Sequence, residues 1–268
     1  MTPPRIRLVA LDLDGTLLNR GNAVSDGNAA AVRDAVAAGV HIVIATSRWY
    51  LLAKHTADLL GVTSPIICHN GAMIRSPIDD ARLLQLDVPA DAAIEIASIA
   101  DESQFESMAT VDDTTHLLTR RANFDPSRLP HGMVRTQRLS DHVAGGVEAF
   151  LFFGQDACDG LRARVGNRYD GVLNLAYGYS ETFPPYLNIV HASADKGRAL
   201  QLVCDHVGVP IEQTMAIGDA APDLRMMGVA GIGMAMGNAP DDVKAQADVI
   251  GPSNVDDGVA WAIREYAL

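Results

Sequence analysis

Short apolar runs that end in polar residues recur along this chain. Residues 6–11, 40–45, 65–68 and 214–217 are mostly apolar and rich in β-branched or other strand-forming side chains. Runs of this length predict buried strands of a parallel sheet. The residues that follow these runs are polar or glycine: Asp12-Leu13-Asp14, Thr46-Ser47-Arg48, His69-Asn70-Gly71 and Gly218-Asp219. Because open α/β folds carry their chemistry at the carboxyl ends of strands, these residues are the candidates for function.

Helical patterns separate the predicted strands. Ser25 is a good N-cap for an Ala-rich helix to about Ala38, and further helices are predicted over 49–60 and from about 195 to 206. Strands that alternate with helices are connected by right-handed crossovers and pair in parallel. The pattern therefore predicts an α/β fold with a doubly wound, Rossmann-like parallel sheet.

The middle of the chain has a different character. Strand-like pieces at 82–88 and 147–153 alternate with helical pieces, and 131–146 is rich in turn residues. The strand-helix period of the first sheet resumes only after this region. We therefore predict that residues 1–81 and 188–268 form the Rossmann-like core domain, and that residues 82–187 form an inserted α/β cap domain.

Composition excludes several function classes. The chain has 268 residues, of which 33 are acidic and 21 basic, and its net charge is −12. This balance argues against nucleic-acid and anionic-membrane partners, which need clustered Lys and Arg. The three cysteines (Cys68, Cys158 and Cys204) are far apart and predict buried thiols. No apolar stretch approaches the ~18 residues that span a bilayer, so we expect a cytoplasmic protein; nothing in the sequence indicates its oligomeric state.

Five polar side chains are predicted to converge at one edge of the sheet: Asp12, Asp14, Thr46, Lys196 and Asp219. Several carboxylates in one crevice repel each other unless a cation holds them. Few protein ligands, all of them oxygen, suit Mg²⁺, which also binds substrate phosphate. A lysine and a hydroxyl beside the metal would complete a phosphate cradle.

The same residues resemble the motifs of the haloacid dehalogenase (HAD) superfamily of phosphatases, in its Cof-like branch with a large α/β cap. The matching segments, in the order of that branch, are Asp12-Leu13-Asp14-Gly15-Thr16, Ala45-Thr46-Ser47-Arg48, Asn70-Gly71-Ala72, Asp195-Lys196-Gly197, Gly218-Asp219-x-x-x-Asp223 and Met236-Gly237-Asn238-Ala239. The cap insertion also falls between the second and third of the four main motifs, as it does in that branch.

The resemblance implies a role for each matching residue. Asp12 would be the nucleophile that becomes an aspartyl phosphate, and Asp14 would be the general acid and base. Lys196 would balance charge. The implied substrate-binding residues are Thr46, Ser47, Arg48 and Asn70, although Arg48 could equally cap the helix that it precedes. The implied Mg²⁺ ligands are Asp12, Asp14 through its carbonyl, Asp219 and Asp223.

Two residues depart from the pattern of that branch. Pro222 stands where Asn is usual, which removes a side-chain amide and a backbone N–H near the metal. It could simply begin the following helix. Ser47 stands where Gly is usual and adds a hydroxyl beside the expected phosphate. Because neither change touches the nucleophile, the acid–base residue or the lysine, we expect an active enzyme.

We therefore expect a Mg²⁺-dependent phosphatase that acts on a small phosphorylated metabolite, in particular a sugar phosphate, with a cap large enough to close over it. Two alternatives remain open. A phosphomutase would share all four motifs and return the phosphoryl group to a sugar hydroxyl. A receiver-like phospho-acceptor module would also use aspartates, Thr and Lys, but Asp14 argues against it because it supplies a group for turnover.

Overall fold

The computed structural model describes residues 6–121, 124–178 and 184–268. The parts of the predicted domains at 1–5, 122–123 and 179–183 lie outside the described residues. The chain divides into two compact units: a core unit of Met1–Leu84 with Asp195–Leu268, and an inserted unit of Gln85–Ala194. The inserted domain predicted from the sequence, 82–187, differs from this unit by three residues at its start and by seven at its end.

The elements of the chain follow the order α/β, then a strand-rich insertion, then α/β again. Before the insertion come β1 (Leu8–Leu11), α1 (Asp26–Ala37), β2 (His41–Ile44), α2 (Tyr50–Leu60), β3 (Ile66–Cys68), β4 (Met73–Arg75) and β5 (Arg82–Gln85). The inserted unit contains α3 (Ala90–Ser103), β6 (Ser107–Val111), β7 (Thr114–Leu118), β8 (Met133–Thr136), β9 (Ala149–Phe153), α4 (Gln155–Val165), β10 (Leu173–Gly178) and β11 (Tyr186–His191). The core unit then resumes with α5 (Lys196–Val207), β12 (Thr214–Gly218), α6 (Leu224–Val229), β13 (Ile232–Ala235), α7 (Asp241–Lys244), β14 (Val249–Ile250) and α8 (Gly258–Tyr266).

The core unit is built on a five-stranded parallel sheet in the order β14-β13-β12-β1-β2. Successive residues of each strand alternate between its two faces. Leu11, Ile44 and Ile217 belong to one buried apolar cluster, which includes residues of α1, α2 and α8. Leu8 and Ala216 belong to another, which includes residues of α5 and α6. Both faces are therefore covered by helices, and the predicted doubly wound α/β fold is confirmed.

The predicted strand at 65–68 is present, but its ladder is antiparallel and not part of the five-stranded parallel sheet. β3 pairs in antiparallel fashion with β4, in a separate three-stranded sheet of the order β3-β4-β5. A single parallel bridge, between Ala45 and Ile67, connects it to the segment after β2. The reason is the tight turn that follows the strand, in which His69 and Asn70 have φ of 50° and 56°. This turn reverses the chain and brings the next strand back beside β3.

The inserted unit has a mixed sheet of six strands, in the order β10-β11-β9-β6-β7-β8. Its pairings are antiparallel except for the parallel pair β7–β8. Phe150, Phe152 and Ile189 form its buried core together with α3 and α4. Of the helices in the described ranges, none combines the length and the apolar character that crossing a bilayer requires.

We expect Ile217→Ala to lower the free energy of unfolding by about 2–5 kcal/mol, because it leaves a cavity in a close-packed core. Ile217 has no exposed surface and lies in β12, between β1 and β13. Urea denaturation measures the change. Val229→Ala is the control, since Val229 is 40% exposed at the end of α6. Equal effects of the two substitutions would contradict this assignment of the core.

Candidate active site

A buried lysine joins two of the predicted carboxylates. Lys196 is the first residue of α5, and its side chain is 3% exposed. Its ammonium group donates to Oδ1 of Asp12 and to Oδ1 of Asp223, both at 2.7 Å. Asp12 directly follows β1, and Asp223 ends a 3₁₀ turn after β12. Three residues that are far apart in sequence therefore meet at the carboxyl ends of neighbouring strands.

The second oxygen of Asp223 shapes the loop that follows β12. It accepts the backbone N–H groups of Asp219 and Ala220, each at 3.1 Å. Pro222 lies in the first turn of the 3₁₀ helix Ala221–Asp223, where a missing N–H is tolerated. The structure thus explains Pro222 as the start of a helical turn.

The carboxylate of Asp219 lies very close to the backbone of Gly15, in the loop after β1. Gly15 has φ of +86°, and a Cβ at this position would lie 2.3 Å from Oδ2 of Asp219. A side chain at position 15 would therefore need a strained left-handed backbone and a shift of the Asp219 carboxylate. Thr16 donates its hydroxyl proton to Oδ1 of Asp219 at 2.9 Å. This threonine belongs to the Asp-Gly-Thr motif, but the sequence assigned it no role.

The cluster carries more negative than positive charge. Burial and the nearby Asp223 raise the pKa of Asp12 well above its usual value, against the lowering effect of Lys196. Burial and Asp223 also raise the pKa of Asp219 to about 7. Burial alone would lower the pKa of Lys196, but Asp12 and Asp223 outweigh it and raise that pKa. Three carboxylates around one ammonium group leave an excess of negative charge, which favours binding of a cation.

The donor set fits a hard metal ion. One ligand atom from each of Asp12, Asp219 and Asp223 lies within 4.8 Å of the others. All three ligands are carboxylate oxygens, which Mg²⁺ prefers, and the ion would reverse the charge effects that raise these pKa values. The side chain of Asp14 is outside this group.

Asp14 instead pairs with the predicted substrate-binding residue Arg48. Arg48 Nε donates to Oδ2 of Asp14 at 2.8 Å, and a terminal nitrogen of the same guanidinium donates to Oδ1. Asn22 accepts a further bond from that nitrogen at 2.8 Å. The helix-capping alternative for Arg48 does not hold, because the N-cap of α2 is Trp49.

Thr46, Ser47 and Asn70 lie where β2 and β3 end. Thr46 is fully buried, its Oγ1 accepts the backbone N–H of Arg48 at 3.1 Å, and its carbonyl accepts the N–H of Asn70 at 3.0 Å. Ser47 is half-buried between Thr46 and Arg48. These bonds hold the ends of β2 and β3 together. β2 pairs with β1, the strand that Asp12 follows.

Two asparagines that the sequence left without a role clamp the loop after β1. The side-chain amide of Asn238 donates to the backbone carbonyl of Gly15 at 2.8 Å, and its oxygen, Oδ1, accepts the backbone N–H of Asn254 at 2.9 Å. Asn254 donates in turn to the carbonyl of Leu18 at 2.9 Å. Asn238 belongs to the segment Met236-Gly237-Asn238-Ala239, which matches the branch, so the sequence could have indicated its importance. No motif includes Asn254.

Comparison with known proteins agrees with the motifs. The family model described as haloacid dehalogenase-like hydrolase matches residues 9–263. The 5-amino-6-(5-phospho-D-ribitylamino)uracil phosphatase YcsE of Bacillus subtilis is 31% identical over 267 residues, which cover 98% of this chain and 96% of that protein. The pyridoxal phosphate phosphatase YbhA of Escherichia coli is 26% identical over 272 residues, with 98% and 99% coverage.

Solved structures share the fold over almost the whole chain. A haloacid dehalogenase-like hydrolase from Bacteroides thetaiotaomicron superposes with a TM-score of 0.83 at 24% identity, and the match covers 97% of this chain and 99% of that one. At this identity the similarity supports the fold alone.

In the metal-free protein, we expect Asp219→Asn to be more stable than the wild type at pH 8, by on the order of 2–4 kcal/mol. The pKa of Asp219 is raised to about 7 in the folded chain, against 3.8 as the usual value. The folded wild type therefore binds the proton more tightly than the unfolded chain does. It loses stability as the pH rises from 3.8 to about 7.

Urea denaturation in chelator at pH 4 and pH 8 measures the difference. At pH 4 the carboxyl group is protonated in the folded state and the two proteins should be about equally stable, which makes this pH the internal control. Asparagine keeps the oxygen that accepts the hydroxyl proton of Thr16. A stability difference that is the same at both pH values would contradict the prediction.

Proposed function

The chain belongs to the haloacid dehalogenase-like hydrolase family and is a phosphoric monoester hydrolase, and we propose that it hydrolyses a small phosphorylated metabolite through an aspartyl phosphate on Asp12, with Mg²⁺ as cofactor. The observation that carries this proposal is the contact of Asp12 with the ammonium group of Lys196 at 2.7 Å, inside a group of three carboxylates. A nucleophile, a charge-balancing cation and a metal-binding set are what phosphoryl transfer requires.

The first half of the proposed reaction transfers the phosphoryl group to the protein. A carboxylate oxygen of Asp12 attacks phosphorus, the bond from phosphorus to the ester oxygen breaks, and Asp14 gives its proton to the departing oxygen. Lys196 balances charge on Asp12 and on the phosphoryl group. Thr46, Ser47 and Asn70 bind phosphoryl oxygens from the adjacent strand ends.

The second half returns the protein to its starting state. Asp14 takes a proton from a water molecule, which attacks the phosphorus of the aspartyl phosphate and releases inorganic phosphate and free Asp12. Asp12, Asp219, Asp223 and the backbone carbonyl of Asp14 would hold the Mg²⁺ ion. When bound, this ion supplies charge neutralisation to the phosphoryl oxygens and to the carboxylates.

The substrate class that we propose is a phosphate ester on a polyhydroxylated carbon chain, as in a sugar phosphate. The name of the Bacillus relative at 31% identity describes a substrate with a phosphoribityl chain, which is of this kind. We also propose that the inserted unit, Gln85–Ala194, is the cap that selects the substrate.

We expect Asp12→Asn to lower phosphate release from an aryl phosphate by at least about a thousandfold, because it removes the nucleophile without changing the size of the side chain. Release of inorganic phosphate with Mg²⁺ and with chelator is the measurement, and the wild type should lose its activity in chelator and regain it when Mg²⁺ is added.

Asp58→Asn is the matched control, since Asp58 is an exposed aspartate of α2 that pairs with Lys54. It should release phosphate at the rate of the wild type. Full activity of Asp12→Asn, or activity that is indifferent to chelator, would exclude the proposed mechanism.

A panel of phosphomonoesters tests the proposed substrate class. Hexose, pentose and alditol phosphates should give higher kcat/KM than pyridoxal phosphate and phosphoserine, with free phosphate as the product. Isomerised sugar phosphate in place of free phosphate would favour the phosphomutase alternative. A stable phosphoprotein without turnover would favour the receiver-like alternative.

A further inference from the structure

The guanidinium group of Arg48 binds both oxygens of the Asp14 carboxylate. Nε lies 2.8 Å from Oδ2, and a terminal nitrogen bonds Oδ1. A bidentate pair of this kind fixes the plane of the carboxylate as well as its position, which a single contact would not do. The side chain of Asp14 is 47% exposed, whereas that of Arg48 is 16% exposed. The arginine is therefore the better-anchored partner of the two.

Arg48 is held both at its backbone and at its guanidinium group. Its backbone N–H donates to Oγ1 of Thr46 at 3.1 Å, and its carbonyl accepts the N–H of His69 at 3.2 Å. At the far end, the guanidinium donates to Oδ1 of Asn22 at 2.8 Å. The strand ends fix the backbone of Arg48, and Asn22 fixes the charged group.

Asn22 is itself held in a tight turn. The side-chain oxygen of Asn19 accepts the N–H groups of Gly21 and Ala23 at 2.8 and 3.2 Å. Asn22 has φ of +57°, a left-handed conformation that asparagine adopts more readily than most residues. The turn therefore presents the amide of Asn22 to the guanidinium group.

We infer that Arg48 is a positioning residue that orients the carboxyl group of Asp14 for proton transfer, and that Asn22 holds Arg48 in place. The inference rests on the proposed function, in which Asp14 protonates the departing oxygen. A half-exposed aspartate has several rotamers open to it, and proton transfer needs the one that points at that oxygen. Arg48 restricts Asp14 to one orientation.

The test compares Arg48→Gln with the wild type on phosphomonoesters that differ in their leaving group. A sugar phosphate leaves as a strongly basic alkoxide and needs a proton, whereas a nitrophenyl phosphate does not. We expect kcat/KM for the sugar phosphate to fall on the order of tenfold to a hundredfold, while kcat/KM for the nitrophenyl phosphate changes little. The inhibition constant of inorganic phosphate should stay the same.

Three further variants separate positioning from other roles. Arg48→Lys keeps the charge without the planar fork and should show the same selective loss. Asn22→Ala removes a contact of Arg48 and none of Asp14, and it should show a smaller loss of the same kind. If circular dichroism shows that Arg48→Gln fails to fold, the result for Asn22→Ala decides the test. Arg33→Gln is the matched control, because Arg33 is an exposed residue of α1 that donates to the carbonyl of Leu59.

Two results would overturn the inference while leaving the proposed function intact. An equal loss on both substrates, or a rise in KM and in the inhibition constant of phosphate on both, would assign Arg48 to substrate binding or to general stability. No turnover by the wild type on any phosphomonoester would overturn the proposed function and this inference with it.

Discussion

The contact on which the site depends is the buried ammonium group of Lys196 between Asp12 and Asp223. These three residues come from the end of β1, the start of α5 and the turn after β12. Each bond is 2.7 Å long, and all three side chains are nearly inaccessible to water. A buried charge that lost its partner would be strongly destabilising, by about 3–5 kcal/mol. The pairing therefore fixes the geometry of three chain segments at once.

This contact does not balance the negative charge of the site. One ammonium group cannot balance Asp12, Asp219 and Asp223, and the raised pKa values of Asp12 and Asp219 express this imbalance. Gly15 sharpens the constraint, because its missing side chain lets the carboxylate of Asp219 press against the neighbouring backbone. Charge repulsion thus pushes the carboxylates apart, whereas the close packing holds them together. A divalent cation bound among these oxygens would remove the repulsion.

Much of this arrangement follows from the sequence, because the end of a buried parallel strand is recognisable locally. Asp12 and Asp219 follow such strands, and Lys196 begins a helix between them. The pairing of Asp14 with Arg48 could not be predicted in this way, since it depends on rotamers and on the turn that carries Asn22. The antiparallel ladder of β3 with β4 does not follow from the strand–helix alternation, because it depends on two left-handed residues, His69 and Asn70, that reverse the chain.

In the inserted unit, the sequence predicts few of the strands. Antiparallel strands such as β6 and β7 owe their stability to partners across the sheet, and isolated segments carry little of that information. The stretch 131–146, interpreted as turn-rich, contains β8 as an edge strand beside β7.

The order in which the sheet is assembled follows from one of its pairings. β1 lies beside β12, with Leu8 opposite Thr214, so the central pair of the sheet joins residues from opposite ends of the chain. At synthesis rates of about 5–20 residues per second, β1 waits roughly 10–40 s for this neighbour. The inserted unit is continuous in sequence, so all of its residues are synthesised during that interval. The carboxylate cluster is complete only when the ribosome has delivered Asp223, so a chain that ends before this residue lacks one of the three carboxylates and one of the two partners of Lys196.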